Sequence, residues 1–426
     1  MLNCHKVILI CHYFPPHNNC GVRRVLYWAN SLANKGHDVT VLTTRKTKEQ
    51  LRPEGVDPKV KIVDFSYGRF RALEGGAIGS FGFSAQSDRV WWQKFAVKIK
   101  RRLINPTFGQ IADPNLLSVV VTMLSSWLRR KLGSKNSQID FADATIISTA
   151  PPWSMHLLGA ALSHLFNRPL LIDYRDQFSN NHMFGGYFSG LEYKIDSFLC
   201  GRAQKVITIS PSMSTYYSSL NTDTRLLMNG YDPELFWPNT SDIKRSSPLS
   251  IRYFGSIHHD TRLPLVLLEA LKETTVNVTL DFYGDVPLIV DYLLENPELN
   301  KNVIVNAGVP LAQVRKLMAD SDFNLMCETM SGTSLSHSGI MTTKLFEYLA
   351  VERPVLALIS PNSDMVSALS ESGLLVGPFQ STSEVLTWLS SLDDNSLEFV
   401  PKRSHIQKFS RETSVDLLLN LLEENV

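Results

Sequence analysis

Cysteine is scarce, with five in 426 residues, at positions 4, 11, 20, 200 and 327, and no CxxC pair. This excludes a disulfide framework and fits a reducing compartment. An excess of charge of one sign is also missing. With 42 basic and 41 acidic residues, nothing draws the chain as a whole to nucleic acid, and any electrostatic attraction has to be local. Long apolar runs are absent too. The strongest, LLSVVVTMLSSWL at 116–128, is shorter than the ~20 residues of a membrane span and carries Ser and Thr, so it reads as a buried helix. The start, MLNCHKVILICHYFPP, is interrupted by His and Cys and lacks a small-residue cleavage site, so it reads as a first strand, not a signal peptide. These absences predict a cytoplasmic protein, soluble or held only at a membrane surface. The 44% apolar and 19% charged residues are an ordinary globular mix with enough mass for two cores.

What is present is a repeated grammar. KVILICH (6–12) is a predicted strand, YFPPHNNCG a loop, VRRVLYWANSLANKG a helix stopping at Gly36, and HDVTVLTT (37–44) the next strand. That is a βαβ unit, and ATIISTA (144–150), PLLIDY (169–174) and KVITIS (205–210) continue it. After the polar stretch PNTSDIKRSSP (238–248), strands recur at 249–255, 278–284, 302–308, 322–328 and 354–360. The expectation is an α/β chain of two facing, doubly wound parallel-sheet domains with a cleft between them. The expected boundaries are 1–235 for the first domain, 236–248 for the linker and 249–402 for the second. A C-terminal helix within 403–426 should pack back toward the first domain. Ligands in such sheets bind outside the carboxyl ends of the strands, so function belongs in the loops that follow them.

One region, about 66–136, breaks the rhythm. Its segment RVWWQKFAVKIKRRL (89–103) carries six basic residues and no acid. Trp92, Phe95, Ile99 and Leu103 fall on one helical face, with Lys94, Lys98 and Arg101 largely opposite. Such a helix can lie in an anionic membrane interface or simply cap the first domain.

The motifs YFPPHNNCGVRRV, SLANKGHDVTVLTT, ISTAPPWSMHLLG, PLLIDYRDQF, RAQKVITISPSM, NGYDPELF, YFGSIHHDTRLPLVLLEAL and TKLFEYLAVERPVLAL follow one another along nearly the whole chain. In order and spacing they resemble the GT-B nucleotide-sugar glycosyltransferases, in particular the bacterial retaining branch of surface-polysaccharide synthesis. The resemblance implies a Rossmann-like GT-B fold and sugar transfer from a nucleotide diphosphate-sugar to an acceptor hydroxyl on a glycan or lipid-linked glycan. It also implies work at the inner face of the membrane, as a peripheral protein, without nucleic acid. No cofactor or essential metal is implied, so basic side chains and helix N-terminal amides must meet the diphosphate charge.

The resemblance also points to residues. In MTTKLFEYLA, Thr342 and Thr343 stand at a helix N-terminus where free N–H groups can meet phosphate, Lys344 adds a cation, and Glu347 matches a ribose-binding glutamate. A second glutamate common in the family eight positions earlier is replaced by Gly339. After YFGS, Arg262 occupies the place of a diphosphate-binding base, Ser256 stands where many relatives have Arg, and His258 is a lesser candidate. Glu328 either contacts the donor or is a solvated loop carboxylate. In the first domain Gly21 allows close approach of backbone to the donor. Asp173, Arg175 and Asp176 should reach the cleft, with Asp176 contacting the acceptor hydroxyl and Arg175 orienting acceptor or phosphate. Capping by these residues is the alternative. His156 is either an acceptor-side group or an internal histidine. Asp176, Arg262 and Lys344 are the residues assigned to catalysis.

Two further patterns are set aside. Asp320-Ser321-Asp322 spells DxD, but at a helix end before a strand, which is a structural context. Cys4, Cys11, His12, His17 and Cys20 match no zinc spacing. The implied mechanism is front-face retention, in which the departing phosphate helps deprotonate the attacking hydroxyl. The rivals are a nucleotide-sugar 2-epimerase of the same fold and a catalytically silent nucleotide-sugar-binding subunit.

Overall fold

A computed structural model describes residues 4–16, 20–44, 54–65, 125, 139–181, 189–238, 247–331, 334–392 and 399–424. The basic segment 89–103, nearly all of 66–136, and His17 lie outside the described residues. The chain divides into two compact units, Met1–Met228 with Val415–Val426, and Asn229–Ser414. The first division falls ahead of the polar linker anticipated at 236–248.

The first unit runs β1 (Lys6–Cys11), α1 (Cys20–Asn34), β2 (Asp38–Thr44), β3 (Lys61–Phe65), β4 (Ala144–Ala150), α2 (Ser154–Phe166), β5 (Leu170–Tyr174), α3 (Ser189–Arg202), β6 (Lys205–Thr208), α4 (Pro211–Ser218) and β7 (Thr224–Leu226). All described pairings are parallel, in the order β3-β2-β1-β4-β5-β6-β7. Both β4 and β5 are buried at every position, as strands covered on both faces must be. On α1, Val22, Val25, Trp28, Ala29, Leu32 and Ala33 form the buried stripe. The helix is released by Gly36 at φ +93°, a backbone state other residues reach only at a cost. The C-terminal residues Val415, Leu418, Leu419 and Leu422 pack into this same core. Lys205 closes the edge by pairing with Asp223 at 2.9 Å and Glu424 at 3.0 Å.

The second unit repeats the plan with β8 (Leu249–Phe254), α5 (Leu265–Glu273), β9 (Val278–Tyr283), α6 (Pro287–Glu295), β10 (Val303–Asn306), α7 (Leu311–Ala319), β11 (Phe323–Cys327), α8 (Leu335–Ser338), α9 (Thr343–Ala350), β12 (Val355–Leu358), α10 (Asp364–Glu371), β13 (Leu375–Val376), α11 (Thr382–Ser391) and α12 (Arg403–Gln407). The chain ends in α13 (Arg411–Glu423), most of which belongs to the first unit. The parallel order is β10-β9-β8-β11-β12-β13. In both sheets the strand order reverses beside the first strand of the unit, between β1 and β4 and between β8 and β11. That reversal opens a crevice at the strands' carboxyl ends, which positions the site.

The sequence pattern missed β3, β7 and β13. All three are edge strands. They are short and flanked by one neighbour only, so they need no continuous apolar run.

Candidate functional site

In the second unit, the reversal point brings together the ends of β8 and β11 and the start of α9. Strands β8 and β9 both end in two aromatics and a glycine, Tyr253-Phe254-Gly255 and Phe282-Tyr283-Gly284. Gly255 and Gly284 have φ of +128° and +141°. A Cβ on Gly284 would lie 2.2 Å from the Gly255 carbonyl oxygen, and one on Gly255 would lie 3.4 Å from the Lys344 amine. The close approach of these two turns requires glycine at both.

Lys344 lies in the first turn of α9. Its Nζ donates to the Tyr253 hydroxyl at 2.6 Å and sits 3.9 Å from the centroid of the same ring, a cation–π contact. The Tyr253 hydroxyl in turn donates to the Ser256 carbonyl at 3.1 Å, which fixes the loop leaving β8. Burial lowers the Lys344 ammonium to about 8, a shift that Arg262 adds to and the neighbouring Cys327, Glu328 and Glu347 oppose. Arg262 and Lys344 are thus within electrostatic reach of one another.

The N-terminus of α9 has no side-chain cap. The Thr342 hydroxyl faces the sulfurs of Met326 at 3.6 Å and Met365 at 3.9 Å instead. First-turn amides at Thr343 and Lys344 therefore have no capping oxygen from Thr342, which suits an anion. The helix is anchored by Tyr348, whose hydroxyl donates to the Leu325 carbonyl at 3.2 Å and accepts from Phe254 N–H at 3.3 Å. Glu347 is buried one turn beyond Lys344. Gly339 ends the short α8 in an ordinary backbone conformation, φ −78°.

Glu328 follows β11 directly. It is buried and paired with Arg262, not solvated: Arg262 Nε donates to Oε1 at 2.9 Å, and a terminal nitrogen lies 2.8 Å from Oε2. Burial alone would lower the guanidinium's pKa, but the facing carboxylate holds it above its usual value. His258 lies 3.4 Å from Asp285. Asp320 caps α7, and Asp322 accepts from Ser250 N–H at 2.8 Å and its hydroxyl at 3.0 Å, so both ends of the DxD string are tied to the fold.

In the first unit, the candidates after β4 and β5 divide. Asp173 lies inside β5, within the strand expected at 169–174, and is fully buried, although it was expected to reach the cleft. It accepts from Arg24 at 2.9 and 3.3 Å and from Thr149 at 2.8 Å. Arg24 also donates to the carbonyls of Leu227 and Met228, and burial lowers its pKa against the pull of Asp173. Arg175 donates to the carbonyls of Ala150 at 3.2 Å, Pro151 at 3.0 Å and Gly21 at 2.7 Å, bracing the loop after β4 against the start of α1. Asp176 is exposed. The surrounding protein raises its carboxyl to about 6, Arg175 opposing the rise, and its access to water screens part of this.

His156 is fully buried in the first turn of α2, 2.9 Å from the Ser148 hydroxyl and edge-on to Tyr174. Burial lowers its pKa to about 3, so it is a neutral internal histidine. The segment carrying Arg175 and Asp176 is held at both ends by Asp196 of α3. That carboxylate accepts from the Tyr174 hydroxyl at 2.5 Å and from Ser179 Oγ and N–H at 2.6 and 3.2 Å.

Tyr253, Gly284, Arg24 and Asp196 were not picked out by sequence reasoning. The parallel YFG and FYG endings were a usable signal for the first two. Arg24 and Asp196 act through distant partners and leave no local pattern.

No family model and no curated protein matches the chain. Solved structures do. Sucrose-phosphate synthase from Thermosynechococcus elongatus aligns over 99% of this chain and 98% of its own, at TM-score 0.66 and 14% identity. Anabaena HepE in complex with UDP-glucose aligns over 98% and 99%, at TM-score 0.63 and 14% identity. A glycosyltransferase from Rickettsia africae aligns over 99% and 98%, at TM-score 0.62 and 13% identity. The fold is GT-B. In the second unit Arg262, Glu328 and Lys344 stand at the sheet's reversal point; in the first, Gly21 follows β1 at the reversal point and Arg175 reaches back to it from the end of β5, with Asp176 next in the chain. Among the described residues no three His, Cys, Asp or Glu side chains could hold a metal ion, and no helix is long and apolar enough to cross a membrane.

Proposed function

We propose that this chain is a glycosyltransferase that moves a sugar from a nucleotide diphosphate-sugar to an acceptor hydroxyl. The observation that carries the proposal is the grouping of Lys344, Arg262 and the uncapped start of α9 at the β8/β11 reversal point. Two cations and a set of helix amides are what a leaving diphosphate needs. Lys344 and Arg262 take the diphosphate, with the backbone of Thr342, Thr343 and Ser256 around it, and Glu347 takes the ribose hydroxyls. HepE, a GT-B neighbour, was solved with UDP-glucose bound, which supports a nucleotide-sugar donor.

On the first unit, Asp176 is the residue for the acceptor hydroxyl. It is open to solvent on a segment clamped by Asp196, while Arg175 braces Gly21 and the loop after β4. Retention of configuration, with the leaving phosphate assisting deprotonation, follows from the motif resemblance, as does a role in surface-polysaccharide or glycolipid synthesis beside a membrane. No essential metal is invoked.

The test has two steps. Thermal-shift screening against UDP, GDP and ADP identifies the base. Release of that nucleotide diphosphate from its sugar donors is then followed with and without glycan or lipid-linked acceptors. Acceptor-dependent release supports transfer. Epimerised donor without acceptor would make it an epimerase, and binding without turnover a silent subunit.

A further inference from the structure

Arg262 sits at the end of a single 3-10 turn, Asp260–Arg262, in a loop whose preceding residues are exposed. A long side chain on such a loop samples many rotamers unless something holds it. Glu328 holds it. The carboxylate accepts from Nε through Oε1, and its Oε2 lies 2.8 Å from the terminal nitrogen on the same edge as a charge contact outside hydrogen-bond geometry, so one hydrogen bond and one ion-pair contact hold the guanidinium. Among the described residues nothing accepts from the other terminal nitrogen, Nη1.

Glu328 is itself rigid. It extends β11, its N–H donating to the Leu358 carbonyl at 3.2 Å, and its Oε1 also accepts from Thr329 N–H at 3.3 Å. Its side chain is only 6% exposed, while that of Arg262 is 34% exposed. The negative charge is therefore turned into the protein and the cation outward. A carboxylate facing a diphosphate directly would repel it, whereas this one is spent on Arg262.

We propose that Glu328 is a positioning residue, acting on the nucleotide diphosphate only through Arg262, whose free terminal nitrogen it presents to the phosphates. This rests on the reading that the second unit binds a nucleotide diphosphate. It assigns Glu328 no contact with the donor.

A double-mutant cycle tests it, with the full chain, using UDP and uridine, or GDP or ADP with their nucleosides if the wild type prefers them. Glu328→Ala should weaken diphosphate binding about tenfold and leave nucleoside binding unchanged. Glu328→Gln, which keeps one acceptor, should recover part of the loss. In an Arg262→Ala background, Glu328→Ala should bring no further loss, and a gain is expected because an unpaired carboxylate repels phosphate. If Glu328→Ala does not fold, Glu328→Gln carries the cycle, with the same signs and smaller steps. Equal losses in both backgrounds, a parallel loss of nucleoside affinity, or no change at all would overturn the proposal. Wild-type protein that binds none of the three nucleotides would instead overturn the nucleotide reading and the proposal with it.

Discussion

The Lys344 amine rests on the face of Tyr253, 3.9 Å from the ring centroid, and donates to the hydroxyl of that same residue at 2.6 Å. The tyrosine orients the cation without neutralising it. Burial leaves the ammonium easier to deprotonate, at about 8. Only the protonated form attracts a diphosphate, so affinity should be full below this value. It should fall as pH rises through it, approaching about tenfold per unit. Calorimetry on both sides of pH 8 should show proton uptake on binding near that value. Lys344→Arg should abolish this pH dependence, because a guanidinium stays charged throughout. Unchanged affinity above pH 8 in the wild type would remove Lys344 from the phosphate site.

Glu347→Ala should weaken nucleotide diphosphate binding about tenfold or more, the worth of charge-assisted hydrogen bonds to the ribose. The sharper readout is the 2′-deoxy nucleotide. Wild-type protein should prefer the ribonucleotide and the variant should bind both alike. Retained discrimination would place the ribose elsewhere.

Gly284→Ala should damage both fold and site, since its Cβ would meet the Gly255 carbonyl at 2.2 Å from a backbone at φ +141°. A loss of about 2–4 kcal/mol is expected, with impaired nucleotide binding, because Gly255 packs against Lys344. Gly36→Ala is the control: its Cβ meets nothing within 4 Å at φ +93°, so only backbone strain of about 1 kcal/mol applies and nucleotide binding should survive. Urea midpoints and UDP titration of the two variants separate packing from strain.

Arg24→Ala should cost the first unit about 3–5 kcal/mol by leaving the Asp173 carboxylate buried and unpaired. Arg24→Lys should recover little, because one ammonium cannot serve Asp173 and two backbone carbonyls in the geometry of the guanidinium. Fluorescence-monitored unfolding in urea reads both. Wild-type stability in the alanine variant would show that Asp173 finds another partner.

The sequence by itself determined the α/β class, the two repeats and the places of the main strands along the chain. A central parallel strand is covered on both faces, so its apolar run is written locally, as in ATIISTA and PLLIDY. The start of α9 was legible for the same reason: Thr342, Thr343, Lys344 and Glu347 are close in sequence, and helical spacing alone puts them at one end of one element. What only the tertiary structure decided is pairing between distant positions. Asp173 and Asp176 are three residues apart in one motif, yet one is locked to Arg24 inside the sheet and the other is open to solvent. Strand alternation and the end of β5 separate them. Glu328 read equally well as a donor contact or a solvated carboxylate until the fold placed Arg262 against it, across 66 residues of chain. Such partners are chosen by the reversal of strand order that brings β8 beside β11, and no local pattern records that choice.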